Sequence, residues 1–157
     1  MWDVSDKNPT VRTAIAHAKL NLAADTVKAI REGTVPKGDP FPVAKVAAVM
    51  AAKNTPDIIP YCHPLPVESV KVEFELHDDS VTITTRVKTS AKTGVEMEAL
   101  TAASVAALTL YDMLKQLDMG MSIEYIRLFE KRGGKSDYLR SEPPLHSGGE
   151  GAGGEVA

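Results

Sequence analysis

The chain has 157 residues, enough for one domain with a real core and too few for two comfortable ones. With 43% hydrophobic and 25% charged residues it has the balance of a soluble globular protein, and its net charge of -3 argues against a general nucleic-acid binder while leaving room for a local basic pocket. One cysteine, Cys62, excludes an internal disulfide, no apolar run reads as a membrane span and no signal peptide precedes the fold, so the expected compartment is cytoplasmic.

Up to Thr10 the residues are polar, hold a proline and are expected to lie over the surface. From Ala14 to Leu22 apolar residues fall on alternate positions, which is strand period, and Ile15 on the second face implies that this face is partly covered. Ala24, Val27, Lys28 and Ile30 then follow helical spacing, with Gly33 as the stop. Asp39 is placed to cap a second helix with Pro40 in its first turn. Val43, Val46, Ala47, Met50 and Ala51 are its expected apolar side, and Lys53 or Asn54 its end.

The segment from Ile58 to Leu65 is apolar and bracketed by prolines, which fits neither a regular helix nor a central strand, and predicts a shaped loop. Val70 to Leu76 and Val81 to Val87 alternate around a turn at His77 to Ser80, predicting a hairpin with one buried face. Thr93 and Glu96 have capping-box spacing, and from Ala99 to Leu110 nearly every residue is small or apolar, so a helix buried all round is expected. Ile123 to Leu128 suggests a last strand before Gly133 and Gly134. The domain is expected to span residues 1–140 and the glycine-rich residues 141–157 to form a mobile tail. The order strand, helix, helix, strand, strand, helix, strand is, one helix apart, the split β-α-β arrangement of a ferredoxin-like α+β fold, an antiparallel sheet with helices on one face.

The charges of the long helix gather at its ends. Glu98 and Asp112 are fourteen residues apart, roughly 21 Å at the helical rise, too far to grip one small metabolite from a single chain. If both serve one site, two subunits must build it, and an obligate homo-oligomer is expected. Lysines stand beside glycines or at element ends (Lys37, Lys53, Lys92, Lys115, Lys131, Lys135), where ammonium groups meet phosphate oxygens; each taken singly also fits a solvated surface lysine. Cys62 and His63 lack the third and fourth ligands of a closed zinc site, so no metal is expected. His63 is placed to bind a ligand or to move a proton, and equally to hold its loop through a backbone carbonyl. Asp112 and Lys115 fit an ordinary intrahelical pair, or a lysine that transfers a proton while the carboxylate orients it.

KGD at Lys37 to Asp39, IIPYCHPL at Ile58 to Leu65, KTGVEMEALTAASVAALTLYDM at Lys92 to Met113 and KRGGKS at Lys131 to Ser136 closely resemble the molybdenum-cofactor biosynthesis C family, over about Asp3 to Ser136. The resemblance implies cyclic pyranopterin monophosphate synthase activity, in which a cyclised dihydro-GTP becomes cyclic pyranopterin monophosphate with release of pyrophosphate. It implies a ferredoxin-like hexamer built as a trimer of dimers, with active sites between subunits. By position, Asp112 and Lys115 match the catalytic aspartate and lysine, Lys37 and Lys131 further pocket lysines, and Tyr61, Cys62, His63 with Glu96, Met97, Glu98 two substrate-binding segments. Arg12 and Lys53 match basic positions at the pocket edge. No cofactor is required, although a magnesium ion on the substrate phosphates is compatible with the pattern. Set against the resemblance, the chain is expected to lack an N-terminal extension of some relatives. A catalytically silent nucleotide-binding regulator could use the same fold and pocket. An RNA-binding module would need aromatic residues on its strands, and aromatics are only 5% of this chain.

Overall fold

The computed structural model describes residues 1–142; of the expected glycine-rich tail, residues 143–157 lie outside the described part. Nine elements follow in chain order: β1 (Thr10–Asn21), α1 (Ala24–Glu32), α2 (Pro40–Lys53), α3 (Thr55–Ile58), β2 (Val67–Leu76), β3 (Ser80–Ala91), α4 (Glu96–Leu114), β4 (Ser122–Arg132) and β5 (Tyr138–Leu139). The strands make one antiparallel sheet in the order β2-β3-β1-β4-β5. After β1 the chain crosses through the first helices to β2, and β3 returns to fill the place between them, as the element order predicted. The two-residue β5, which pairs with Glu130 and Lys131, is too short to leave a periodic signal.

Local signals are realised at several ends. Gly33 closes α1 with φ 70°, and the Asp39 side chain accepts a hydrogen bond from the Phe41 N–H at 3.1 Å. The region expected to be a loop from Ile58 begins as one helical turn, α3, with Pro56 in its first positions where its missing N–H costs nothing. The remainder of that segment is irregular.

Ala14, Ala16, Ala18 and Leu20 turn one face of β1 into the core beneath α4. On the other face Ile15 and His17 are buried as well, and His17 stacks on Phe129 at 4.6 Å between ring centroids. The pairing of β1 with β4 is shifted between Ile15 and Ala16. Ala16 stands opposite Leu128, Ile15 opposite Glu130 and Ala14 opposite Lys131, so Phe129 is an extra residue in β4.

Two helix faces differ from expectation. In α2 the buried residues are Pro40, Ala44, Ala48, Ala51 and Ala52, whereas Val43, Val46 and Met50 are exposed. The reason is volume: α2 lies against α4, whose own buried side is Ala99, Ala102, Ala103, Ala106 and Ala107, and alanines on both sides let the two backbones approach closely where branched residues would hold them apart. Nor is α4 covered all round, since Leu108 is 56% exposed and Met97 and Asp112 are also open. Both helices therefore present uncovered apolar side chains. The hydroxyls of Ser104 and Thr109 bond back to the carbonyls of Leu100 and Val105, and Thr85 of β3 donates to the Ala99 carbonyl at 2.7 Å. Among the described residues α4 alone is long and apolar enough to cross a bilayer, contrary to expectation, but half of it is buried within this fold.

Candidate functional site

The first turn of α4 and the irregular segment after α3 come together beside the N-terminal arm. Tyr61, Cys62, His63, Glu96, Met97 and Glu98 line a cavity of about 210 Å³, and Trp2, Val4 and Lys7 close its side. The arm, expected merely to run over the surface, thus forms a wall. Thr93 does not cap α4. Val95 is the N-cap residue without a side-chain bond, and Glu96, three residues after Thr93, instead meets Lys131 of β4 at 3.4 Å. Its carboxylate folds against Gly94, where any side chain would collide with it. A long-range cation has taken the carboxylate that local capping would have used.

A second cavity of about 460 Å³ adjoins the first, with Lys7, Thr93, Gly94 and Glu96 common to both. Its walls are basic: Lys7, Arg12, Lys131, Arg132 and Lys135. Arg12 is anchored by donating to the carbonyls of Ala91 and Lys92, both at 3.2 Å. Gly133 has φ 93°, and a Cβ there would fall on the Val11 carbonyl, so the loop after β4 passes close to β1 only because that residue is glycine.

Charge is unevenly set within this pair of cavities. Glu98 is 2% exposed, and burial pushes its pKa above the ordinary carboxylate value, the charge of Glu96 adding to the effect while its backbone N–H opposes it. Burial raises the Cys62 thiol too, with Glu98 and then Glu96 contributing. The smaller cavity thus resists further negative charge and holds a carboxyl able to keep a proton. The larger one invites anions. His63 Nε2 lies 2.7 Å from the Trp2 carbonyl oxygen. The histidine does hold a backbone carbonyl, but that of the arm and not of its own loop.

At the opposite end of α4 stand Lys37, Asp112 and Lys115. Lys115 Nζ is 2.9 Å from Asp112 Oδ1, and Lys37 Nζ is 3.5 Å from Oδ2 and donates to the Asp112 carbonyl at 3.0 Å. Asp112 is held below its ordinary pKa by the Lys115 hydrogen bond and charge and by Lys37, while Asp112 holds Lys115 above its own. In this chain Lys115 is therefore a firmly protonated ammonium, half-exposed, and not yet in the partly buried setting that would tune it for proton transfer. Neither cavity includes these three residues.

The ten predicted binding residues thus divide. Eight lie along the joined cavities with Arg12 and Lys131 among them, Lys37 joins the distant cluster, and so does the expected catalytic pair. Tyr61 is 77% exposed. Lys53, the last residue of α2, lines neither cavity. The sequence reading missed Trp2, Val4, Lys7 and Arg132; Lys135 was flagged by its glycines alone. Among the described residues no group of three or more His, Cys, Asp or Glu is placed to hold a metal ion.

The MoaC family model matches residues 1–134. A protein of Thermomicrobium roseum named cyclic pyranopterin monophosphate synthase is 50% identical over 144 residues, which covers 90% of this chain and 87% of that protein.

Proposed function

This chain belongs to the MoaC family, and from that membership we propose that it is a cyclic pyranopterin monophosphate synthase of molybdenum cofactor biosynthesis, a lyase that converts cyclised dihydro-GTP to the cyclic pterin and releases pyrophosphate. The observation that carries the reading is the division of one continuous hollow into a basic compartment and an acid-lined one, meeting at Glu96. A triphosphate fits the first by charge, and a purine-derived ring fits the second beside His63, Met97 and Glu98. Lys131, Lys135 and Arg12 neutralise the phosphates. A substrate hydroxyl attacks the α-phosphorus and gives up its proton, the bond from that phosphorus to the oxygen bridging to the β-phosphorus breaks, and pyrophosphate leaves with that oxygen, taking up one proton overall and carrying charge that the same cations stabilise. Binding energy from the phosphates positions the ring for its proton transfers. Magnesium, where it takes part, arrives on the phosphates, and the reaction uses no resident cofactor.

The distant cluster completes the site in an assembly. Lys115, kept as an ammonium and oriented by Asp112, is the proton donor, and Lys37 adds a second cation. Because Asp112 lies about 21 Å along α4 from Glu98, the donor comes from a neighbouring copy. The uncovered apolar residues of α2 and α4, among them Val46 and Leu108, supply the contact surface. The proposed assembly is a soluble, cytoplasmic hexamer of ferredoxin-like protomers, a trimer of dimers.

The test is to supply cyclised dihydro-GTP and measure pyrophosphate and the cyclic pterin. The wild-type chain is expected to yield both, and Lys115→Ala neither, with its oligomer intact by light scattering. Near-normal turnover by that variant removes the donor role. Nucleotide binding without pyrophosphate release by the wild type would favour a silent regulator.

A further inference from the structure

The contact between His63 and the arm carries more information than its length. A carbonyl oxygen has no proton to give, so at 2.7 Å the ring must supply it, and Nε2 carries the hydrogen. In the neutral ring Nδ1 is then left with its lone pair. His63 makes no other hydrogen bond among the described residues. The arm is held at a second point, where Lys92 Nζ donates to the Ser5 carbonyl at 3.3 Å, and is folded by the Lys7 N–H bond to the Val4 carbonyl at 3.1 Å. The Trp2 side chain is 88% exposed, so the main chain, not the indole, makes the contact.

We infer that residues 1–5 are a positioning element for the reaction: the Trp2 carbonyl takes the Nε2 hydrogen of His63 and thereby presents Nδ1 as the proton-accepting nitrogen of the smaller cavity. This rests on the proposed synthase activity for its catalytic consequence, but not for the tautomer and the shielding of the ring. Fixing one nitrogen through a hydrogen bond at the other is how an imidazole is committed to one direction of proton transfer. Released from the arm, the ring can turn and exchange tautomers, and only a fraction of molecules keeps the accepting nitrogen toward the substrate.

The experiment removes residues 1–5 from the chain, with and without His63→Gln. The first readout needs no turnover: carbethoxylation of each histidine by diethyl pyrocarbonate, followed by peptide mapping. Removal of the arm is expected to raise the rate at His63 about ten-fold, the scale of one charge-neutral hydrogen bond, because it frees Nε2 and opens the side of the cavity that Trp2 and Val4 close beside the ring, and to leave His77, bonded to Thr82, unchanged. Trp2→Ala, which keeps the carbonyl, is expected to leave His63 protected. The second readout is turnover as a double-mutant cycle. Removal of the arm is expected to lower kcat about ten-fold when His63 is present, and to change kcat less than about two-fold in the His63→Gln background. An unchanged modification rate at His63 overturns the contact, and equal losses of kcat in both backgrounds overturn the positioning role. If the shortened chain does not fold, Lys92→Ala, which frees the arm at Ser5, is expected to show the same pattern at smaller amplitude, and its failure to do so counts equally against the inference. A wild-type chain that makes no product fails the synthase reading, while the modification result still decides the arm.

Discussion

Mixing two impaired variants is the sharpest trial of a site built from opposite ends of α4. His63→Ala removes a group from the cavity at the helix start, and Lys115→Ala removes the ammonium at its end, nineteen residues after Glu96 and well over 20 Å away along the axis. Each variant alone is expected to form complete oligomers with turnover far below that of the wild type. When they are unfolded together in equal amounts and reassembled, a site needs its His63 half from a Lys115→Ala chain and its Lys115 half from a His63→Ala chain. Random assembly gives each half a one-in-two chance, so about one quarter of sites are intact and about a quarter of wild-type activity returns. The assay is pyrophosphate release against mixing ratio, with mixed oligomers verified by native mass spectrometry. Recovery should peak at equal proportions. If verified mixed oligomers stay inactive at every ratio, both halves must serve one chain and the argument from helix length is wrong.

Three further outcomes follow from the geometry. Because burial raises the pKa of Glu98, the folded chain binds its proton more tightly than the unfolded one, whose reference value is 4.5; the group's stability contribution is complete below that value and is lost as pH rises through the raised one. Glu98→Gln should therefore match wild-type stability below about pH 4.5 and exceed it increasingly above, by about 1.4 kcal/mol for each unit of displacement, in urea melts across pH. Ala103→Leu, at a fully buried alanine of α4, should cost about 1–3 kcal/mol by overpacking, and an unchanged denaturation midpoint would contradict the tight helix contact. Gly133→Ala should lose at least about 1 kcal/mol and raise KM for the phosphorylated substrate more than it lowers kcat, since the collision with Val11 displaces the loop that borders the basic cavity.

Much of the scaffold could be read locally because its signals are local. Gly33, Asp39 with Pro40, and the alternation either side of His77 to Ser80 each act within a few residues, and each appears where expected. The long helix was legible too, but its start was misread in mechanism: Thr93 and Glu96 have the right spacing, yet Lys131, thirty-five residues further on, competes successfully for the carboxylate. Likewise Val46 and Met50 look like the inner side of α2 by hydrophobicity, whereas partner volume selects the alanines. At the site, proline brackets marked the segment around His63, and charge gathered at the head of an apolar helix marked Glu98. Lys7 and Trp2 gave no sign, because an arm without periodicity says nothing about what it crosses. Lys53 was singled out by charge and position at a helix end, and neither property fixes direction.

The extra residue in β4 has a consequence for how variation in this chain should be interpreted. Were Phe129 paired into the ladder opposite Ile15 instead of left over, Lys131 would fall opposite Thr13 and project from the wrong side of the sheet, and Glu130 would take its place opposite Ala14, on the side of Glu96. The identity of the cation in the hollow is thus set by a count of residues, not only by their kinds. Relatives with every named side chain intact but one residue more paired into the ladder between Leu128 and Lys131 would carry an inverted electrostatic polarity at the junction, a loss of function invisible to any position-by-position inspection of the motif.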